Sequence, residues 1–487
     1  MPGLGGRLAA LHLPVQRGKR VAVVAAVALL AVVSGIGVGF GVTVLDVAGF
    51  AHRLVMTGAV AATVPPPAPA VPHPALRPAA VDGPVPTRTG VGAVLNPLIV
   101  AGGLGTLSGQ VLDPVTGAVL WQRDPEVALV PGSTAKLLTS SAALLTLDHQ
   151  ERLRTRVLAG AEPGTVVLLG GGDPTLSAAG PGTATGYPGA ARLDDLVSQV
   201  RAAAPGPVRR VLIDVGRYAG DALAPGWVPS DVAGGYIAPI EPVMLDGGRD
   251  DPTQEDSPRD AKPATAAAKE LARRLGADPD TVSIGTAPPG AAVLGEVSSP
   301  PIQDLVATAL RRSDNVLAEV LAREVARATG ARASFSGASQ AVLTVLHNHG
   351  FDVSRAILVD GSGLSVNDAV PATLLTELLG AASAPDKFTD QPLQQRTVAL
   401  RPLLVGLPVA GGSGTLADRY HGPAAGGRGW VRAKTGTLTG VNSLAGTVLD
   451  VEGRVLVFAL LSNGPNPVSV RPRLDTLAAG LRSCGCH

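Results

Sequence analysis

The chain has 487 residues, a formal net charge of +1 and only 16 % charged side chains. Such near-neutrality gives no electrostatic reason to expect a nucleic acid or other polyanion as partner, and a single pair of cysteines excludes a disulfide framework. The length fits one elaborated domain with attachments, and with 3 % aromatics its core is expected to be built mostly from Ala, Val and Leu.

Residues 1–20 carry Arg7, Arg17, Lys19 and Arg20 and read as a basic cytoplasmic segment. Val21 to Leu45 holds no charged residue, and Asp46 follows it. As a helix its 25 residues would reach about 37 Å, enough to cross a hydrocarbon core of about 30 Å. The positive-inside rule then places the remainder outside the cell membrane, behind an uncleaved single-pass anchor. A cleaved signal peptide is the alternative. Its apolar core is usually about 7–15 residues, however, and the nearest A-x-A, Ala59-Val60-Ala61, lies well downstream. Residues 46–97 form a linker with prolines concentrated between Pro65 and Pro86, either a semi-rigid extended spacer or a disordered tether.

The globular part is expected over 98–482. Gly109 to Trp121 reads as a hairpin turning at Pro114-Val115-Thr116-Gly117. After Pro131-Gly132 comes Ser133-Thr134-Ala135-Lys136, followed by Leu137, Leu138, Ala142, Leu144 and Leu145 at helical spacing. A helix starting at Ser133 puts Lys136 on the same face and the serine near the positive end of the dipole. Between Lys136 and Ser313 lie 176 residues, more than a direct connection needs, so an inserted region is inferred at about 150–300. Within it Val208–Val215 and Ala291–Val297 read as strands, and Asp250–Ala261 as an exposed loop. Ser313-Asp314-Asn315 falls between two helical patterns, Ile302–Arg311 and Val316–Ala328. Lys434-Thr435-Gly436-Thr437 directly precedes two apolar runs, Leu444–Leu449 and Val455–Leu461, that read as an antiparallel hairpin. In the tail, 483–487, Cys484 and Cys486 read as plain thiols, with a local disulfide or a metal contact with His487 as alternatives.

The three motifs S-x-x-K, S-D-N and K-T-G are each weak alone, but their order and context make them strong. Lysine is scarce, six against 34 arginines, and two of the six fall inside them. The set implies acyl transfer through a serine that is activated by lysine rather than histidine. No G-x-S-x-G elbow occurs, and His149, His347, His349 and His421 have no triad or H-E-x-x-H context. With no metal-ligand spacing and no phosphate loop in the sequence, neither a metal nor another cofactor is expected.

On these motifs the chain resembles the D-alanyl-D-alanine carboxypeptidase/endopeptidase family, the class C low-molecular-mass penicillin-binding proteins. The likeness extends to Leu169-Gly170-Gly171-Gly172-Asp173-Pro174-Thr175-Leu176, to Asp360-Gly361-Ser362-Gly363-Leu364-Ser365 and to Ala410-Gly411-Gly412-Ser413-Gly414-Thr415-Leu416. The 169–176 and 360–365 segments also have a bland reading as ordinary glycine turns. The resemblance implies an α/β (α+β) fold of the serine β-lactamase/DD-peptidase type. That is an α/β/α sandwich with a mainly antiparallel sheet and a large insertion after the nucleophile helix. It implies peptidoglycan stem peptides as substrate and β-lactams as inhibitors. Ser133, Lys136 and Ser313 would be catalytic. Asn315, Lys434, Thr435, Gly436 and Thr437 would bind substrate, and the backbone N–H groups of Ser133 and Thr437 would form the oxyanion hole. In this scheme Lys136 acts as a neutral base, while Lys434 stays charged to anchor the substrate carboxylate. A β-lactamase is one rival, with Glu241-Pro242-Val243-Met244-Leu245 superficially like a deacylating segment but placed before Ser313. A catalytically inactive penicillin-binding or wall-sensing protein is another.

Overall fold

A computed structural model describes residues 83–385 and 391–486. Its central sheet is wholly antiparallel, in the order β2-β1-β10-β9-β8. The strands are β1 (Thr106–Leu112), β2 (Val119–Arg123), β8 (Val431–Leu438), β9 (Val441–Leu449) and β10 (Val455–Asn463). Both faces of this sheet are covered, which explains why β9 and β10 read as nearly continuous apolar runs. The two-residue side-chain period of β10 shows the division. Leu456, Phe458 and Leu460 pack on one face with α1 (Arg88–Val100) and α12 (Pro467–Arg482). Val457, Ala459 and Leu461 pack on the other, with α2 (Lys136–Thr146) and α9 (Ala372–Ser383). Helices α6 (Ile302–Arg312), α7 (Asn315–Ala328) and α8 (Phe335–Asn348) complete that second layer, giving the α/β/α sandwich.

One boundary and the state of the cysteines differ from the sequence reading. The ordered domain begins before Leu98: Thr87 caps α1 by accepting from the Gly90 N–H, and its own N–H and hydroxyl donate to the Cys486 carbonyl. The alternating small and apolar residues of α1 carry a weak pattern that the proline stretch before them obscured. The cysteines are not free thiols; Cys484 and Cys486 are joined as a disulfide. The expected membrane span, Val21–Leu45, lies outside the described residues. Among those described, no helix is long and apolar enough to cross a membrane.

A second sheet is built from 152–301, in the order β6-β5-β4-β3-β7. Strands β4 (Thr165–Leu169), β5 (Arg210–Asp214) and the short β6 (Ser283–Ile284) are parallel. Strand β3 (Arg152–Ala159) runs antiparallel to β4 and to β7 (Val293–Pro301). The β4-α3-β5-α5 crossovers, with α3 (Leu193–Ala203) and α5 (Pro263–Leu275), bury a separate core of Val166, Leu168, Leu196, Ile213 and Leu271.

This inserted region also grips the Ser313-Asp314-Asn315 loop. Arg249 pairs with Asp314 at 3.0 Å, with both side chains buried. The Tyr187 hydroxyl donates to the same carboxylate oxygen at 2.8 Å and accepts from Arg249 at 2.8 Å. On the flanks Arg312 donates to the Gly186 carbonyl at 2.6 Å, and Asn315 Nδ2 to the Tyr236 carbonyl at 2.9 Å. The charged 250–261 stretch is therefore no solvated loop throughout: Ser257 and Arg259 are buried, the latter donating to the carbonyls of Gly235 and Gly247. Burial alone would raise the Asp314 carboxyl, but the guanidiniums of Arg249 and Arg259 outweigh it and hold the group at about 2.

Arg249→Met should strip the buried Asp314 charge of its paired guanidinium and lower unfolding stability by about 3 kcal/mol. Adding Asp314→Asn should recover most of that loss in a urea titration. If the double variant is no more stable than Arg249→Met, the ion pair is not what fastens the insertion to the loop.

Candidate active site

Ser133 sits in a 3₁₀ turn over Gly132–Ala135 that runs straight into α2, rather than in the first turn of an α-helix. Gly132 takes a φ of +53°, and a Cβ there would lie 3.1 Å from the Thr437 nitrogen. Only glycine lets this turn press so closely on β8. Lys136, fully buried, donates to Ser133 Oγ at 2.8 Å, to Asn315 Oδ1 at 2.5 Å and to the Ser362 carbonyl at 2.7 Å. An ammonium has three N–H groups, and these three acceptors use them all.

The second motif is the sharp link between α6 and α7. Ser313 adopts a left-handed φ of +59° and ends α6, while Asp314 caps α7 by accepting from the Leu317 N–H at 2.9 Å. This reversal aims Ser313 and Asn315 into the cleft. The third motif lies on β8, the edge strand of the central sheet. Lys434, also fully buried, donates to Ser313 Oγ at 2.9 Å and to the Thr435 carbonyl at 2.8 Å. The Thr435 hydroxyl meets that of Thr415 at 2.8 Å. A Cβ on Gly436 would collide with the Ser443 hydroxyl and the Pro131 carbonyl, which are hydrogen-bonded to each other. The same absent Cβ would lie 3.0 Å from the Ser133 nitrogen, so the Ser133 and Thr437 backbones run side by side.

All three motifs thus converge on one cleft of about 430 Å³, lined by Ser133, Ser313, Asn315, Thr435 and Thr437. Each serine hydroxyl carries its own lysine. Glu241 lies elsewhere: its carboxylate accepts from the Ala264 N–H at the start of α5, and it does not line the cleft. A deacylating role for that segment has no geometric support.

The two lysines differ in electrostatic setting. Burial brings the Lys136 ammonium down to about 8, opposed by Asp360, Glu319, Asp314 and Asp368. Burial also drives Lys434 down, well below the usual lysine range, and the cations Lys136 and Arg419 push the same way. The strongest charge effects on Lys136 come from four acids, whereas those on Lys434 come from two cations.

The 360–365 segment, read as a block of the family resemblance or as an ordinary turn, supports the site: its Ser362 carbonyl accepts from Lys136, and its Gly361 carbonyl accepts from Thr139 at 2.7 Å. Arg249, Arg259, Arg312, Arg419 and Arg471 line the cleft together with the acids Glu255, Asp256 and Asp314. Among 34 arginines, nothing in their local sequence marks these five. Among the described residues no cluster of His, Cys, Asp and Glu could hold a metal ion.

Residues 95–259 and 252–481 match the profile of the D-Ala-D-Ala carboxypeptidase 3 (S13) family. Carboxypeptidase DacB of Mycolicibacterium smegmatis is 48 % identical over 459 residues, covering 93 % of this chain and 97 % of that protein. A carboxypeptidase of Mycobacterium tuberculosis is 47 % identical over 437 residues, covering 88 % and 91 %. The crystal structure of penicillin binding protein 4 (dacB) from Haemophilus influenzae shares the fold, with a TM-score of 0.65 at 20 % identity over 80 % of this chain and 98 % of its own. The family match and the paired serine–lysine contacts of the cleft identify the chain as a serine-type peptidase of the D-Ala-D-Ala carboxypeptidase 3 (S13) family.

Proposed function

We propose that the protein cleaves D-Ala-D-Ala termini of peptidoglycan stem peptides, as carboxypeptidase or endopeptidase, through an acyl-serine intermediate that β-lactams trap. The observation that carries this reading is the 2.8 Å contact between Lys136 Nζ and Ser133 Oγ inside a cleft that holds a second lysine–serine pair. Serine is a poor nucleophile unless a base takes its proton. Lys136, once neutral, accepts that proton as Ser133 Oγ attacks the peptide carbonyl. The resulting oxyanion is held by the N–H groups of Ser133 and Thr437, each worth about 3–4 kcal/mol by analogy with other such donors. The carbon–nitrogen bond then breaks. The leaving amine takes a proton relayed through Ser313, and an ester on Ser133 remains for water to hydrolyse. Asn315 faces the substrate's backbone amide after exchanging its contact with the Tyr236 carbonyl, and Lys434, Thr435 and Thr437 hold the terminal carboxylate. Gly436 keeps the strand close to the nucleophile turn.

Localisation follows from the charge asymmetry around Val21–Leu45: a single membrane pass, a proline-rich spacer and a catalytic domain outside the cytoplasm, facing its substrate.

Labelled penicillin should form a stable adduct on Ser133, and Ser133→Ala should abolish both labelling and D-Ala release while the fold persists. An adduct mapped to another serine would overturn the nucleophile assignment. The labelling rate should rise with pH through about 8, because Lys136 is protonated below that value and cannot act as base. A rate that stays flat or falls across that region speaks against Lys136.

In inverted membrane vesicles the catalytic domain should resist protease added to the exposed cytoplasmic face. Its digestion there would reverse the proposed orientation, and a mature chain that starts beyond residue 45 would replace the anchor with a cleaved leader.

A further inference from the structure

Around Lys136 three carboxylates, Glu319, Asp360 and Asp368, are buried to within 1 % of complete. Their hydrogen bonding is unequal. Asp360 accepts four N–H groups. Its Oδ1 takes those of Ser362 at 3.0 Å and Gly363 at 2.6 Å, and its Oδ2 takes those of Ser365 at 2.7 Å and Trp227 Nε1 at 2.8 Å. Asp368 accepts one, from Val359 to Oδ1 at 2.7 Å. Its Oδ2 is buried and receives no N–H, and the group faces Asp360. Glu319 accepts the N–H of Gly361 on both oxygens, each at 3.0 Å, and a hydrogen bond from the Ser362 side chain.

Two ionised carboxylates do not face each other in a buried site without a cation or a proton between them. The one with four donors keeps the charge, and the one with an empty oxygen holds a proton that the other can accept. We propose that Asp360 and Asp368 share one proton and one negative charge, and that this pair is the positioning element that sets the protonation of Lys136. It acts in two ways. Asp360 fixes the Ser362 amide, and the carbonyl of that residue receives the Lys136 ammonium at 2.7 Å. Its charge also favours the protonated lysine, so the base is held near neutrality instead of far below it.

Burial, with the charge of Asp360 next, pushes Asp368 up to about 9 and Glu319 up to about 8, in keeping with the donor count. The other charged groups around Lys136 are Glu319 from α7, Asp314 from the loop after α6 and Lys434 from β8. Arg323 of α7 acts on the far side, through Glu319.

The inference rests on Lys136 being the base, so its test has one readout that needs no catalysis. In the full chain at neutral pH, the infrared difference between wild type and Asp368→Asn should contain one protonated-carboxyl band. Its absence would overturn the shared proton whatever Lys136 does. The second readout is the pH midpoint of acylation by a labelled β-lactam. Asp368→Asn keeps an amide donor toward Asp360 and should leave that midpoint in place. Asp360→Asn combined with Asp368→Asn removes the only charge of the pair, and the midpoint should fall by on the order of one pH unit. A single Asp368→Asn that lowers the midpoint would mean that Asp368 itself carries negative charge, and the shared proton would be overturned. A double variant that acylates with an unmoved midpoint would mean that the pair does not govern Lys136. Should the double variant fail to fold, the infrared band and the single-variant midpoint still decide the question.

Discussion

A lysine ammonium with no solvent exposure has to find its hydrogen-bond acceptors within the protein. Lys136 finds them on three stretches of chain that are remote in sequence: its own nucleophile turn, the start of α7 at Asn315, and the turn at Ser362. Satisfying one buried cation therefore brings together the α2 turn, the link between α6 and α7 and the 360–365 turn, and the edge strand β8 closes the assembly through Lys434 and Ser313. The cost of burying two lysines is the cost of holding serines beside potential bases.

The inserted region is better described as the back wall of the active centre than as an appendage. It has its own sheet and its own core, which would let it vary or drift independently. The Arg249–Asp314–Tyr187 cluster and the contact of Asn315 with the Tyr236 carbonyl prevent that where it matters. A loop whose first residue sits in the left-handed region needs support on both sides to stay there, and the insertion supplies it.

Much of this was legible in the residues. The three motifs, the hairpin of β9 and β10 and the existence of the insertion follow from local spacing and from runs of apolar residues, which a sequence displays directly. What stayed hidden depends on contacts between distant segments. Nothing around Arg249 distinguishes it from 33 other arginines until Asp314 is seen beside it. The Asp360–Ser365 segment is legible as a family block or as a glycine turn, but that it holds Lys136 through a carbonyl is visible only in three dimensions. The relative acidity of the two lysines depends on which one the buried carboxylates surround, a matter of three-dimensional placement that no motif encodes. Helix α1 escaped notice because its small residues follow a proline-rich stretch whose composition suggests the opposite of a helix.

The tie between Thr87 and Cys486 has a mechanical and topological meaning. The first turn of α1 and the last residues of the described chain are hydrogen-bonded to one another, and Gly90 leaves no room for a side chain against the Cys486 backbone. The domain is thus nearly a closed ring, entered and left at one point. Tension applied at Thr87 meets α1 and the tail that follows α12, not the cleft formed by α2 and β8. A ring closed at its ends can also be opened elsewhere. A short peptide joining residue 486 to residue 87 would complete the circle, and new ends cut in an exposed loop of the second sheet would make a permuted enzyme whose nucleophile turn keeps every neighbour it has now.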